Sequence, residues 1–405
     1  MGGRAGALTV GLCRDPRAFT RLREEWDDLQ RRCSTATPFQ HHSWLDSWWL
    51  SYGGNGRLRI VLVRRGGRLV AAAPLMLVHR PLPQLVWLGG SISDYGDILV
   101  DDTADTADTG AASDTGDGRN GGGGGDSARA ITALARGLAR AAGPAVLDLR
   151  EVRPGAAAER LYECWPGPKR RLPDSVCLEL PATTMDELVK RLPASRAQRV
   201  RAKLRKIDAA RIEGRPVTEH EVPTAIGQLL RLHELQWRGR GVTAEHLRPR
   251  FAEHLMRATR RMIRDGDAAL TEYRMDGEVV AVGVALFSGR LTGGYLYGAH
   301  PGLRERKIDV ATMLLRHDTE LAARTGRRVV SLLRGSEPYK NQWRPEPVIN
   351  QRLLLAPPGL APLLRLHAAR ASWRERVAGA VTERFPAVRE WRARLKDWRA
   401  AARSR

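Results

Sequence analysis

The 405-residue sequence has few cysteines and no long apolar run, and each shortage excludes a class of protein. Its four cysteines are too few for a disulfide scaffold, and none of them forms the Cys-x-x-Cys pair of a structural zinc site, so we expect reduced thiols. No run of about 18 apolar residues occurs, so we expect no membrane-spanning helix. The N-terminal apolar stretch is too short for a signal peptide, and we therefore expect a cytoplasmic protein.

Metal-binding motifs are also missing. The ten histidines include no His-Glu-x-x-His pair and no other spacing that would place several ligands around one ion. The glycine-rich stretch at 53–56 lacks the preceding strand and following helix of a dinucleotide-binding loop. We therefore expect no metal cofactor.

Lysine is scarce, with seven among 67 basic residues, and arginine supplies most of a formal net charge of +22. Two explanations stay open: an anionic partner, such as nucleic acid, a membrane surface or a polyanionic cofactor, or a GC-rich genome whose codons favour arginine. The charge is concentrated in residues 190–215, which hold ten basic and two acidic side chains, and in the Arg-rich segment 361–405. Residues 103–127 are instead a low-complexity stretch of Asp, Thr and Gly, which we expect to form a disordered surface loop.

The sequence repeats one order of secondary-structure elements. Residues 64–75 (RRGGRLVAAAPL) and 274–285 (RMDGEVVAVGVA) each predict a hairpin, with a Gly-Gly or Asp-Gly turn between apolar strands. Each hairpin is preceded by helical segments and followed by a strand with a polar turn, an amphipathic helix and another strand. This order predicts two copies of one α/β domain, each a mixed sheet flanked by helices.

The sequence therefore predicts two α/β domains and two basic helical segments. The first domain covers residues 1–180, with the acidic insert at 103–127, and a basic bridging helix follows at 181–215. The second domain covers residues 216–357, and residues 358–405 form a basic helical tail.

Four stretches of the sequence resemble the CelD/BcsL-like branch of the GNAT acetyltransferase superfamily, a relative of the FemABX aminoacyltransferases. They are TPFQHHSWLDSWWLSY at 37–52, GGSISDYGDIL at 89–99, LHELQWRGRG at 232–241 and LRGSEPYKNQW at 333–343. The resemblance covers most of the chain. It implies two GNAT-like folds in tandem, in agreement with the internal repeat.

The resemblance also implies acyl transfer from acyl-coenzyme A, with acetyl-CoA as the expected donor, to an amine or a hydroxyl group. Members of the branch often serve exopolysaccharide or cell-envelope synthesis, so the implied acceptor is a sugar, a polysaccharide or an envelope precursor. The enzyme must position both reactants, take a proton from the nucleophile and stabilise the leaving thiolate. Two alternatives stay open: FemABX-like aminoacyl transfer from tRNA to a peptidoglycan precursor, and a non-catalytic binding protein that keeps the fold.

A GNAT fold holds the coenzyme pyrophosphate on backbone N–H groups at a helix N-terminus. The matching turn of the second copy is PGLRERK at 301–307, which departs from the usual Gly-rich pattern because Gly302 is its only glycine. Arg304, Arg306 and Lys307 would replace the backbone cradle with side-chain charge. An ordinary solvated basic turn would have the same composition.

Residues 333–343 follow the last predicted strand of the second copy. Binding residues of open α/β sheets usually lie beyond the ends of strands. Arg334 would bind an anionic group of the coenzyme, and Lys340 would bind an anionic group of the substrate. Trp343 would offer a flat apolar platform for a sugar or for pantetheine. A surface loop with one ion pair and a packed tryptophan is the alternative interpretation.

Two residues of the same segment are candidates for proton transfer. Glu337 would act as general base, and Tyr339 would contact the acceptor or protonate the leaving thiolate. Family members often have Asp-Phe-Leu-Arg-Gly here, whereas this chain has Ser-Leu-Leu-Arg-Gly at 331–335.

In the first copy, Asp94, Tyr95 and Asp97 close the equivalent strand. We expect Asp94 to act as a base, and Tyr95 and Asp97 to bind acceptor hydroxyls. Turn formation after two glycines explains the same residues, because Asp and Gly are ordinary turn formers.

In the second copy, His233 and Trp237 share one face of a predicted helix. His233 is a candidate base because of its intrinsic pKa, and Trp237 is a candidate acceptor contact. Tyr297 lies on a predicted strand and would contact the substrate. Packing in the core is the alternative for all three side chains.

The basic segments indicate partners. The bridging helix would attract coenzyme phosphates, an anionic glycan or lipid, or tRNA as in the FemABX relatives; we rank acyl-CoA first and tRNA second, and we expect no DNA. The tail carries Trp373, Trp391 and Trp398 among arginines, which is typical of a helix on an anionic membrane leaflet. Packing of the tail against the domain is the alternative, so the inner face of the membrane is a second expected location.

Overall fold

The computed structural model describes residues 7–79, 81–103, 125–238, 243–335 and 337–384, with the backbone alone for 374–384. Most of the predicted acidic insert and the tail beyond residue 384, with Trp391 and Trp398, lie outside the described residues. Within the described part of the chain, none of the helices is long and apolar enough to cross a membrane.

In the first half of the chain, short helices lead into antiparallel strands, and a longer helix precedes the last strands. The strands are β1 (Leu8–Cys13), β2 (Arg57–Leu58), β3 (Ile60–Arg65), β4 (Arg68–Ala73), β5 (Leu75–His79), β6 (Pro83–Trp87), β7 (Leu99–Val100), β8 (Val146–Val152) and β9 (Lys169–Pro181). The helices are α1 (Pro16–Arg21), α2 (Arg23–Arg31), α3 (His42–Tyr52), α4 (Asp126–Ala142) and α5 (Ala157–Glu163).

The second half begins with helices and then alternates strands with helices. Its helices are α6 (Met185–Lys190), α7 (Ala194–Ala209), α8 (Val222–Trp237), α9 (Pro249–Asp265), α10 (Gly302–Glu305), α11 (Val310–Arg324), α12 (Pro338–Asn341) and α13 (Ala361–Arg384). Its strands are β10 (Glu213–Pro216), β11 (Ala268–Met275), β12 (Glu278–Phe287), β13 (Leu291–Ala299), β14 (Val329–Arg334) and β15 (Glu346–Leu355).

Both hairpins expected from the internal repeat are confirmed. Strand β3 pairs antiparallel with β4, and β11 pairs antiparallel with β12. The turns need a left-handed backbone, with φ of 54° and 85° at Gly66 and Gly67 and of 53° and 83° at Asp276 and Gly277. Two consecutive positive φ values are typical of type I′ turns, which match the twist of the strands they join.

The strands form two sheets. The small sheet has the order β1-β3-β4-β7, and the large one has the order β10-β11-β12-β13-β14-β9-β15-β8-β6-β5-β2. The large sheet is mixed, because β13–β14 and β6–β8 are parallel pairs and the other pairs are antiparallel. The predicted α/β class with mixed strands and flanking helices is confirmed.

The two halves exchange their last long strands. Strand β9, from the first half, pairs with β14 of the second, whereas β15, from the second half, pairs with β8 of the first. Strands β9 and β15 also pair with each other, so the sheet continues through the junction. The hydrophobic core crosses it too, because the buried Trp44 and Phe251 belong to one cluster. Each half therefore completes its sheet with a strand of the other.

Candidate active site

A fork opens in the large sheet between β13 and β14. The two strands pair only at Leu291, Thr292 and Gly293, and β13 then continues through residues 294–299 while β14 leans toward β9. A bulge at Tyr295 adds to the divergence, because the β12 register skips this residue. Beyond Gly293 no strand of the described chain pairs with the β14-facing edge of β13. This edge offers backbone hydrogen-bonding groups to a ligand.

A cavity of about 80 Å³ lies at the fork, beneath α11 and α12. Its wall is largely apolar, with Leu296, Leu314 and Trp343 among the lining residues. Four of the predicted site residues line it together: Tyr297, Tyr339, Lys340 and Trp343. The structure thus brings side chains from β13 and from the segment after β14 to one cavity.

Asp318, on α11, also lines this cavity. Its carboxylate lies over Gly294: a Cβ built there would come within 2.6 Å of Asp318 Oδ2, so glycine leaves the room that this side chain occupies. No described residue forms a hydrogen bond or an ion pair with the carboxylate. Burial without compensation raises the pKa of Asp318 to about 7. Sequence reasoning missed this residue, because an acidic side chain on an amphipathic helix is typical of a solvated face.

The short helix α12 holds two predicted residues at the cavity, Tyr339 and Lys340, and Glu337 immediately precedes it. The buried Lys340 donates to the carbonyl oxygen of Arg334 at 2.7 Å and pairs with the Glu337 carboxylate at 2.8 Å. Tyr339 is 40% exposed, so its ring joins the cavity to the surface. Burial, with Tyr297 and Glu337 nearby, raises the pKa of Tyr339 above its usual range. A neutral phenol beside a carboxylate held by a lysine is an acid–base arrangement.

The loop between β13 and α11 contains Gly302, Arg304, Arg306 and Lys307. Its backbone N–H groups from residue 304 to residue 308 donate to carbonyl oxygens within residues 301–304, and Gly302 donates to the His300 ring. The three basic side chains lie on the surface, and Arg306 is 3.8 Å from the Asp276 carboxylate. The loop therefore presents side-chain charge, while its backbone donors are already used.

The N-terminus of α11 is occupied as well. Asp309 accepts a hydrogen bond from the Thr312 N–H at 2.8 Å and pairs with Lys203 of α7 at 2.8 Å. These two donors outweigh burial and lower the pKa of Asp309. An ionised aspartate already sits at the helix end where an anion would bind.

A cleft of about 450 Å³ lies among β5, β6, β8 and α3. Trp48 and Tyr52 stack in its wall with ring centroids 5.5 Å apart, and the Arg250 guanidinium lies 4.8 Å from the Tyr52 ring centre. Charged pairs form other parts of the wall, including Arg352 with Asp148 at 2.7 Å. Stacked aromatic rings beside paired charges suit a polar ligand with apolar faces, such as a sugar.

Arg334 lies at this cleft and not in the cavity. Its guanidinium pairs with the Asp94 carboxylate and, at 3.1 Å, with that of Glu151. The predicted coenzyme ligand Arg334 and the predicted base Asp94 are therefore partners of each other, and together they join the two halves of the chain. Neither Arg334 nor Asp94 is part of the proposed donor site.

One hydrogen bond links the cleft to the cavity. The Tyr95 hydroxyl lies 2.9 Å from Ser331 Oγ and donates to the Glu179 carboxylate at 3.1 Å. Tyr95 lines the cleft and Ser331 lines the cavity. Burial raises the pKa of Tyr95 above its usual range, so the hydroxyl stays protonated.

Asp97 has a structural role in this arrangement. Its carboxylate accepts hydrogen bonds from the backbone N–H groups of Ala157 and Ala158 at the start of α5, from Ile98 N–H and from Thr35 Oγ1. Burial still raises its pKa to about 7. Because these four donors occupy the carboxylate, Asp97 is not part of the proposed acceptor site.

His233 is engaged at both ring nitrogens. Nδ1 lies 2.7 Å from the Tyr297 carbonyl oxygen, which can only accept, so Nδ1 carries the proton. Nε2 then accepts from His246 Nδ1 at 3.1 Å. Burial lowers the pKa of His233. The neutral His233 ring thus supports β13 from the side, and Trp237 packs beside it at 6.3 Å between ring centres.

Among the described residues, no group of three or more His, Cys, Asp or Glu side chains is arranged to hold a metal ion.

The comparisons with known proteins bear on this architecture. Residues 194–341 match the family model described as the acetyltransferase (GNAT) domain, and this segment contains the whole fork with β13, α11, β14 and α12. No curated protein matches the sequence. Residues 194–341 are therefore similar to a GNAT acetyltransferase domain, and the CelD/BcsL-like branch stays a prediction.

Three solved structures resemble nearly the whole chain, each at 12% identity. The crystal structure of FemX has a TM-score of 0.56 and covers 85% of this chain and 98% of its own. The C-terminal domain of a putative lysylphosphatidylglycerol synthetase from Agrobacterium fabrum has a TM-score of 0.51, with 87% and 96% covered. A conserved protein of unknown function from Bacteroides thetaiotaomicron has a TM-score of 0.50, with 86% and 100% covered. These similarities show a shared, GNAT-like fold.

Proposed function

We propose that this chain is an acyltransferase that holds an acyl-CoA donor in the fork between β13 and β14 and an acceptor in the cleft. The observation that carries the proposal is the unpaired edge of β13 at residues 294–299, which opens on an apolar cavity. The pantetheine arm of coenzyme A is an extended chain with two amide groups. It would pair with this edge as an added strand does.

The cavity also favours a short acyl group. Its volume of about 80 Å³ and its apolar lining suit an acetyl group better than a long chain. Acetyl-CoA is therefore the proposed donor.

The proposed reaction is attack of an acceptor nitrogen or oxygen on the thioester carbonyl carbon. The new bond forms at that carbon, the carbon–sulfur bond breaks, and the thiolate leaves. Glu337 would take the proton of the nucleophile, and Tyr339 would give its proton to the thiolate. Both side chains lie at α12, where Lys340 holds the Glu337 carboxylate at 2.8 Å and Tyr339 lines the cavity.

The cleft supports a glycan as acceptor. Trp48 and Tyr52 line the cleft and would contact the apolar face of a sugar ring, and the paired carboxylates and guanidinium groups would bind its hydroxyls. We therefore propose a sugar, a polysaccharide or a cell-envelope precursor, with exopolysaccharide modification as the expected setting. We place the reaction in the cytoplasm, at the inner face of the membrane if the tail binds lipid. Trp373, 62% exposed on α13, supports such contact.

A second candidate is aminoacyl transfer from tRNA, as in the FemABX relatives. The specific observation is Asp318, whose carboxylate lies in the wall of the donor cavity and has no partner among the described residues. The protonated amine of an aminoacyl group would pair with this carboxylate, whereas an acetyl group has no charge to offer it.

Calorimetric titration of the full chain with acetyl-CoA and with desulfo-CoA tests the main proposal. Ala311 lines the cavity on α11 and Ala323 lies exposed on the same helix, so Ala311→Leu fills the donor site and Ala323→Leu is its matched control. We expect both ligands to bind the parent and the control, and Ala311→Leu to lose them. No binding of either ligand at micromolar concentration would remove the acyl-CoA proposal, and aminoacyl-tRNA would then be titrated in the same way.

A further inference from the structure

Helix α7 carries a stripe of basic side chains that have no role in the proposed reaction. Arg196, Arg199, Lys203 and Lys206 are spaced by three, four and three residues, so they share one flank of the helix. The core-facing residues Ala197, Val200 and Ile207 lie beside this flank and hold the helix on the domain. We call these four cations the α7 stripe.

Contacts place the α7 stripe at the mouth of the fork. Lys203 Nζ pairs with Asp309, the residue before α11, at 2.8 Å and donates to the Gln342 side chain at 3.2 Å. Arg196 donates to the Gln342 carbonyl oxygen at 3.3 Å. Because Asp309 precedes α11 and Gln342 follows α12, the stripe borders both elements that cover the cavity.

Three members of the stripe have no acidic partner among the described residues: Arg196, Arg199 and Lys206. Arg199 and Lys206 are exposed, and no carboxylate of the described chain pairs with either. The arginines of the cleft are different, because Arg250, Arg334 and Arg352 each pair with a carboxylate. The α7 stripe therefore keeps positive charge available for a ligand.

The anion site that the resemblance implies is already partly used. The backbone donors of the loop after β13 are used within the loop, and the Asp309 carboxylate caps the N-terminus of α11. Because this carboxylate repels a phosphate, side-chain cations are the better ligands at the mouth of the fork, and Arg199 and Lys206 lie along the helix that borders it.

We propose that the α7 stripe binds the phosphates of coenzyme A while the pantetheine arm enters the fork. This inference rests on the proposed function. It assigns the phosphates to a helix that precedes the second half-sheet, in place of the loop at residues 302–307. On this assignment, the ligand of the basic bridging segment is the coenzyme bound in the adjacent fork.

The same helix supplies a matched control. Arg201 and Arg205 are exposed cations on the opposite flank, since each residue advances about 100° around the helix. The test compares the parent chain with Arg199→Glu/Lys206→Glu and with Arg201→Glu/Arg205→Glu. Both double variants change the net charge equally, and all four side chains lie on the surface, so circular dichroism should show unchanged folding.

Coenzyme A and pantetheine are titrated at low and high salt. We expect Arg199→Glu/Lys206→Glu to weaken coenzyme A binding at low salt by at least ~10-fold and to reduce its salt dependence. Pantetheine, which has no phosphate, should bind all three proteins equally, and the control pair should change coenzyme A affinity by less than ~3-fold.

Equal weakening by both double variants, or no weakening by either, would overturn the phosphate assignment while leaving the proposed function intact. Failure of the parent chain to bind either compound would instead remove the proposed function. Loss of tRNA binding in Arg199→Glu/Lys206→Glu, with coenzyme A affinity unchanged, would assign the stripe to nucleic acid and overturn the proposal.

Discussion

The Tyr95 hydroxyl and the Ser331 hydroxyl form a hydrogen bond of 2.9 Å across 236 positions of sequence. Tyr95 belongs to the first half of the chain and Ser331 to β14 of the second. Glu179, on the exchanged strand β9, accepts from the same tyrosine and is held by Arg153 at 2.6 Å. One small buried network thus ties together both halves and joins the wall of the cleft to the wall of the cavity.

Removing either hydroxyl should destabilise the fold. Tyr95→Phe leaves the buried Glu179 and Ser331 each short of one hydrogen bond, and we expect a loss of about 1–3 kcal/mol in the free energy of unfolding. Ser331→Ala also removes two hydrogen bonds, since Ser331 Oγ accepts from the Leu333 N–H as well, so we expect a loss of similar size. Urea unfolding of both single variants and of the double variant measures the coupling between the two residues.

A coupling energy near zero would contradict a shared hydrogen bond. Tyr162→Phe is the control, because the Tyr162 ring lies under Lys169 and Arg171 near the surface and should lose little stability.

Asp318 should make the stability of the protein depend on pH. Its pKa is raised to about 7 in the folded chain, above the ordinary value of 3.8, so the native state binds the proton more tightly than the unfolded state does. Stability from the neutral form is complete below pH 4 and is lost as the pH rises toward 7, by as much as about 4 kcal/mol.

Asp318→Asn removes this loss. We expect the free energy of unfolding of Asp318→Asn, relative to the parent, to rise between pH 5 and pH 8, as measured by urea unfolding at each pH. Glu320→Gln is a matched control, since Glu320 lies exposed on the same helix. A constant difference between Asp318→Asn and the parent across this pH range would show that Asp318 is ionised in the native state throughout.

Local features of the fold were predictable from the sequence. The Gly66–Gly67 and Asp276–Gly277 turns need two residues with a left-handed backbone. Glycine and aspartate adopt this conformation readily, so the residue types predict the turns. The exchange of β9 and β15 was not predictable, because a strand with an apolar stretch fits beside either half-sheet. Only the packed structure selects its neighbour.

The candidate site was likewise predictable from the sequence only in part. Tyr339, Lys340 and Trp343 are close in sequence, and one short segment brings them to the cavity. Arg334 was expected at the coenzyme, but its partners Asp94 and Glu151 come from the other half of the chain, and only the tertiary structure shows that they neutralise it. Asp318 was missed for a related reason, because its cavity is made by residues from four strands and two helices.

Asp97 should be needed for folding. Its carboxylate accepts from two backbone N–H groups of α5, and Asp97→Ala would leave these buried donors without an acceptor. We expect a loss of at least about 3 kcal/mol, because several buried donors lose their acceptor at once. Asp97→Asn keeps one acceptor oxygen and should lose less, so equal unfolding midpoints for both variants in urea would contradict this role.

Tyr339 and Glu337 should separate catalysis from donor binding. Tyr339→Phe keeps the ring in the cavity wall and removes only the proton that the leaving thiolate would take, so we expect kcat to fall about 10²-fold while the affinity for acetyl-CoA is unchanged. Glu337→Gln should lower kcat similarly, because the amide cannot accept the proton of the nucleophile. Release of free coenzyme A with a sugar acceptor gives kcat, and calorimetry gives the affinity. Unchanged kcat in both variants would remove their proposed roles, and a proportional loss of donor affinity would show that they bind the donor without transferring a proton.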